Sequence, residues 1–439
     1  MNYRCFVILN FLLLMDSSAM ESSHQSVTGE SMIAPVFTRV ASNATYGCRR
    51  PHGYGFYDSQ VDSTFVCWNG PGMTILGRSF DHESGVWSED TVIKPLAFYG
   101  KWDYHNYPNM AAAPDGHILV AWADHCESLQ VSRSEFPSDL SGDWTEMTVS
   151  TSRPAYPMLF SSGEKMYLFY SVDEERSWPY RSFGYVVSED NGQTWSEHRR
   201  GIDTEKKDPD HIDEIYAYHF FVVDEPGEER VQFSWVMRGG PNGHNRGSRN
   251  GYFASFIPST GTWQGADGID LGEWIDFDEM LDHCLVADTG PILKGYGIDK
   301  IVSATLPDSS PIVVYNLGGS AHQAEWDGEA WQSSKISDLN AKSIRELSDG
   351  TLRLLVAPPS QPSIEVLERT PGGGHWTPVF SAPVPYDNGA TSTWSMSFIE
   401  NARLDLEILM SQIERGQEKV DYSGSWPVWA VGTEPQPVE

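Results

Sequence analysis

Two histidines frame the stretch of chain best suited to chemistry. Asp103-Tyr104-His105-Asn106-Tyr107-Pro108-Asn109 is followed by Pro114-Asp115-Gly116, then by an apolar run from Ile118 to Ala123 and Asp124-His125. His105 and His125 stand at opposite ends of this turn–strand unit, each outside its apolar part. Imidazole titrates near neutral pH, so two such rings aimed at one cavity can hold and pass a proton. Asn106 is suited to orient His105 or to bind a hydroxyl, and equally to form a turn. Residues this far apart can act together only on a scaffold that gathers them.

Repeats identify that scaffold. Ser188-Glu189-Asp190-Asn191-Gly192-Gln193-Thr194-Trp195 fits the Asp-box pattern, a hairpin turn in which Ser and Asp tie down the backbone and Gly supplies a positive φ. Degenerate copies place a tryptophan just after a turn at Trp87, Trp144, Trp263, Trp331 and Trp376. A second element alternates with these: a polar or glycine turn before a short apolar strand, as at Ser162-Gly163, Pro226-Gly227 and Asp349-Gly350. Strands of about five residues without a 3.6-residue period indicate all-β structure. Tryptophans spaced as these are suit one four-stranded blade each, and roughly 55 residues per blade predicts a seven-bladed β-propeller. A pair of β-sandwiches would leave the turn–tryptophan signal unexplained. Trp426–Val431 reads as the strand that closes the ring. In such a ring the inner strands converge on one axial pocket.

The remaining organisation is simple. Residues 1–19 have the form of a secretory signal, with Arg4, an apolar run from Cys5 to Met15 and Ser17-Ser18-Ala19. Residues 20–33 are polar and expected to be disordered, and 34–435 form a single propeller domain. The expectation is a secreted, extracellular, monomeric protein that binds neither membrane nor nucleic acid. A formal net charge of −31 supports the last point, because phosphate backbones and anionic lipids would be repelled. Beyond the signal, Cys48, Cys67, Cys126 and Cys284 permit up to two disulfides or stay as buried thiols. Asn43-Ala44-Thr45 is an N-glycosylation sequon.

The string from Asp103 to His125 resembles the signature of BNR-type propeller lyases: ulvan lyases and L-rhamnose-α-1,4-D-glucuronate lyases. Tyr156-Pro157-Met158-Leu159, Met166–Tyr170, the Asp box and Phe233–Arg238 extend the similarity over roughly residues 50–240. The resemblance implies a secreted seven-bladed lyase cleaving at C4 of a uronic acid by β-elimination. It implies that His105 and His125 are active-site histidines, that Tyr170 is an active-site tyrosine on the inner strand of the next blade, and that Arg238 contacts substrate. The family's arginine before the Asp box is replaced by Val186-Val187, and Arg181 is the candidate substitute. On this basis His105 or Tyr170 handles the proton, while His125 with Arg238 or Arg181 neutralises the uronate carboxylate.

Further candidates come from residue type. Tyr216, Tyr218 and His219 begin another apolar strand and are expected to line the same cavity, with packing as the competing explanation. Arg246 and Arg249 sit in a glycine-rich stretch that reads as a basic rim or a solvated loop. The elimination needs no cofactor. A structural calcium or zinc ion is compatible with the acidic groups, and Asp282, His283 and Cys284 are of metal-ligating type. The expected partner is an acidic polysaccharide. Two other functions remain open: a glycoside hydrolase of sialidase or rhamnosidase kind, or a non-catalytic glycan-binding propeller.

Overall fold

The computed structural model describes residues 34–45, 55–95, 108–124, 128–175, 180–225, 228–240, 248–290, 297–358, 363–385, 392–414, 424 and 426–433. Its strands form antiparallel four-stranded units in sequence order. Blade 1 contains Gly55–Asp58, Ser63–Asn69, Ile75–Asp81 and Val86–Trp87, with Thr91–Lys94 paired beside the third strand. Blade 2 runs Asn109–Ala112, His117–Asp124, Ser128–Pro137 and Trp144–Ser150. Blade 3 has Pro154–Ser162, Lys165–Glu175, Tyr180–Ser188 and Arg199–Ile202. Blade 4 has Asp213–Glu225, Glu228–Arg238, Ser248–Ile257 and Thr262–Gln264. Two parallel pairings, Tyr180 with Asp213 and Arg181 with Glu214, stitch blades 3 and 4 into one continuous sheet.

Blade 5 is Ile301–Thr305, Pro311–Leu317, Ser320–Trp326 and Trp331–Ser337; blade 6 is Asn340–Glu346, Leu352–Ala357, Ser363–Arg369 and Thr377–Pro383. Blade 7 is shared between the chain's two ends: Ser392–Phe398, Ile408–Glu414 and Trp426–Gly432, then Val36–Ala44 on the outside. The ring of seven is thus closed by the early strand pairing with Trp426–Gly432. Side chains lock the seam. His82 Nδ1 lies 3.0 Å from Asp405 and its Nε2 2.8 Å from Thr64 Oγ1, joining blade 1 to blade 7. Arg353 Nη1 donates to Glu407 at 2.6 Å, joining blade 6 to blade 7.

The tryptophan repeat has a single structural meaning. Trp87, Trp144, Trp263 and Trp331 lie in the fourth strands of blades 1, 2, 4 and 5, and Trp376 directly precedes that of blade 6. Trp195 follows the Asp box, whose Asp190 carboxylate accepts from Thr194 N at 2.8 Å while Ser188 Oγ accepts from Gly192 N at 2.8 Å. Gly192 has φ +80°, the left-handed conformation a Cβ would strain. The second repeated turn joins first to second strands, as at Gly116, Gly163 and Gly350, all with positive φ.

Alternation along each strand fills the layers between blades. In Lys165–Glu175, Tyr167 and Phe169 pack toward blade 4 with Phe233, Phe256 and Trp263, whereas Leu168, Tyr170 and Val172 pack toward blade 2 with Leu119, Ala121 and Val131. The one α-helix among the described residues, Phe277–His283, is short and carries a capping box between Asp276 and Glu279. No described helix is long and apolar enough to cross a membrane.

Candidate active site

Strand direction puts the start of each blade's first strand, the end of its second and the start of its third on the same face of the ring. On blades 3 and 4 that face gathers two arginines and three tyrosines. Arg181, at the start of the third strand of blade 3, lies between two phenol rings, 5.3 Å from the centroid of Tyr156 and 5.1 Å from that of Tyr216. Arg238, at the end of the second strand of blade 4, lies 5.0 Å from Tyr216 and 5.9 Å from Tyr218. Cation and ring therefore alternate: Tyr156, Arg181, Tyr216, Arg238, Tyr218. Each contact is within the range where a ring's negative face attracts a guanidinium.

Local backbone irregularities make this stack. Tyr156 has φ +59°, and the pairing register slips between Ala155 and Met158, around Pro157. A proline inside a strand marks such a bulge, which re-aims the preceding side chain. A second slip between Ala217 and His219 leaves Tyr218 as the extra residue in its strand.

The two arginines are held differently. Arg238 Nη2 donates to Tyr218 Oη at 2.8 Å and Nε to Ser248 Oγ at 2.9 Å, and the side chain is 21% exposed. Arg181 is only 2% exposed, and its Nε and Nη1 have no hydrogen-bond partner among the described residues. Glu214 approaches Arg181 Nε no closer than 4.0 Å. For both arginines burial pulls the pKa down, but the nearby tyrosines and carboxylates outweigh it and raise it, so both stay cationic. Burial pushes the Tyr216 phenol well above its ordinary range, keeping it protonated. A buried guanidinium with unmade hydrogen bonds is costly unless an anion completes it.

Two expectations need correction. Tyr170 lies on the second strand of blade 3, not the inner one. Its ring is fully buried between blades 2 and 3, and its Oη lies 2.8 Å from His198 Nδ1. Alternation from Phe169 sends it there. His219 is also buried; its Nδ1 accepts from Ser303 N at 3.2 Å, tying the first strand of blade 4 to that of blade 5. Burial pushes its pKa down to about 3, so it is a neutral structural acceptor.

Arg181, Arg238 and Tyr218 come together, with Tyr216 beside them. Tyr156 and Glu214 were not singled out as site residues from sequence; the Tyr-Pro pair within a strand was the available signal for Tyr156. His105, Asn106, His125 and Arg246 lie outside the described residues, as do Cys48 and Cys126. Arg249 is engaged by Asp208 and Asp210. His283 bonds Asp267 at 2.9 Å, Cys284 is a buried thiol, and no described group of three ligands is arranged to hold a metal. The Asn43 amide donates to Asp90 at 2.6 Å and accepts from Trp68, so a glycan there would displace a formed bond.

Comparison with known proteins places this ring in a family. Residues 63–339 match the model of the BNR repeat-containing family, and the chain belongs to that family. Among solved structures it is similar to a PL25 ulvan lyase bound to -[GlcA(1-4)Rha3S]-, at 18% identity and TM-score 0.72, covering 91% of this chain and 97% of that one. It is also similar to the polysaccharide lyase Uly1, at 14% identity and TM-score 0.60, covering 89% and 92%. At these identities the likeness is one of fold. No curated protein matches the chain.

Proposed function

We propose that this protein is a secreted polysaccharide lyase that cleaves next to a uronic acid, with a glucuronate–rhamnose polymer as the substrate class. The observation that carries this reading is the arginine–tyrosine stack, above all Arg181 with two buried nitrogens that have no hydrogen-bond partner among the described residues. Elimination from a uronate is slow because the electron pair left at C5 sits beside a full carboxylate. Cations aimed at that carboxylate remove the obstacle. Arg238, partly open to solvent, would meet it first, with Arg181 behind.

The steps balance without a co-reactant. A base takes the C5 proton, the freed pair forms the C4=C5 double bond, the C4–O4 bond breaks, and O4 takes up a proton. We assign the C5 proton to His105 and place His125 with the arginines on the carboxylate; the resemblance of the Asp103–His125 string supports both roles. In a syn geometry His105 can then return the proton it removed to O4. Fold similarity to the two lyases adds support for the scaffold.

The test incubates the protein with a panel of uronate polysaccharides, following ultraviolet absorbance and product mass. Elimination gives a conjugated double bond and fragments lighter by one water than hydrolysis gives. Hydrolytic fragments alone, or no attack on any uronate polymer, would reject the proposal.

A further inference from the structure

A cavity of about 350 Å³ opens between blades 4 and 5. It lies at the opposite face from the arginine–tyrosine stack: Arg230 lines it, and Arg238 is eight residues further along the same strand, about 26 Å away at ~3.3 Å per residue. The turns at Asp308 and Asp327, both in blade 5, form its other side. Its volume is at the small end for ligand sites, enough for a short stretch of sugar.

The lining has the character of a glycan site. Gln232 is 1% exposed, and its Nε2 donates to Thr305 Oγ1 at 2.9 Å, which fixes the amide. Its Oε1 is then a buried acceptor with no partner among the described residues. Trp326, half-buried, stands edge-to-face with Trp331 at 5.5 Å, and Trp331 packs on Phe253 at 5.6 Å, so the indole wall is rigid. Hydrogen bonds from Ser310 hold the Asp308 carboxyl below its usual range, and backbone N–H groups of Ala330 and Glu329 do the same for Asp327. The rim therefore carries two ionised carboxylates against one guanidinium, Arg230, whose Nη2 donates to the Ser309 carbonyl.

We infer that this cavity is a second, non-catalytic glycan-binding site, and that it takes a neutral sugar unit rather than a uronate. Hydroxyl donors satisfy Gln232 Oε1 and the carboxylates, an apolar sugar face lies on Trp326, and the rim's excess negative charge rejects anionic residues. The identity of the polymer rests on the lyase reading above; the site itself does not. It would hold the substrate's neutral residues while the far face works on the uronate.

The test is affinity electrophoresis of the full chain in gels containing either a glucuronate–rhamnose polymer or a neutral rhamnan, alongside turnover of a short uronate oligosaccharide. In the neutral rhamnan gel the wild type and Arg238→Met should be retarded alike. Gln232→Leu and Trp326→Ala should weaken retardation about five-fold or more in both gels, with oligosaccharide turnover unchanged. Folding of each variant is checked by circular dichroism. No retardation in neutral rhamnan, or unchanged retardation in both cavity variants, overturns the inference. If no uronate polymer is cleaved while rhamnan retardation still depends on Trp326, the cavity site stands and the lyase reading falls.

Discussion

His219 separates a structural from a substrate-binding role by its response to acid. Its imidazole sits between blades 4 and 5 as an uncharged acceptor, and burial alone lowers its pKa from 6.5 to about 3. Between those values the unfolded chain binds a proton that the folded chain refuses. Stability from this residue is therefore complete above pH 6.5 and is lost as pH falls toward 3. Going from pH 7 to pH 5 removes about 2 kcal/mol, and the full window of ~3.5 units is worth about 5 kcal/mol. At ~2.1 cal/mol/K per residue over about 400 residues, 2 kcal/mol shifts Tm by about 2 °C. His219→Asn keeps an acceptor near the Ser303 N–H and removes the titrating ring. Calorimetry at pH 7 and pH 5 should then show the variant losing about 2 °C less than the wild type, because carboxylates contribute equally to both. Its kcat and KM at pH 7 should match the wild type. Equal acid sensitivity of the two proteins would refute the burial argument, and a large loss of turnover in a folded variant would return His219 to the substrate site.

Other expected outcomes follow from the same geometry. Arg238→Met should lower kcat on uronate substrates about 10²–10³-fold, the usual loss when one charge-stabilising group is removed, with the fold retained by circular dichroism. Tyr170→Phe should keep near wild-type turnover and cost about 1–2 kcal/mol in urea unfolding, since it loses the hydroxyl's bonds to His198 and Ser150; a large fall in kcat would contradict its placement between blades. Arg353→Met leaves Glu407 buried with Arg345 at 3.4 Å as its remaining cation, and should destabilise the protein by about 3–5 kcal/mol by calorimetry. Asp190→Ala removes the acceptor for Thr194 N and Oγ1 in the Asp box and should cost about 1.5–3 kcal/mol, read as a lower Tm.

Period was legible in the sequence, whereas phase was not. Turn tryptophans recur at intervals of one blade because successive blades solve the same packing problem, so their spacing, set against the length of the chain, yields seven blades without coordinates. Deciding which side chains face the axis needs the starting parity of each strand, and a one-residue slip reverses every side chain. Tyr170 and His219 were misplaced for that reason. Phe169 and Tyr167 take the blade 4 side in the aromatic layer, which commits Tyr170 to the opposite layer. The bulge after Ala217 leaves Tyr218 on the arginine side and His219 paired with Ser234. Two irregularities in otherwise regular strands, at Pro157 and at Tyr218, thus bring Tyr156 and Tyr218 to Arg181 and Arg238. Straightening the first separates the hypotheses: Pro157→Val offers the ladder its missing N–H and favours regular pairing. If the bulge exists to aim Tyr156, that variant should gain or keep thermal stability while losing uronate turnover. Unchanged turnover would show that the Tyr156 ring has no part in holding Arg181.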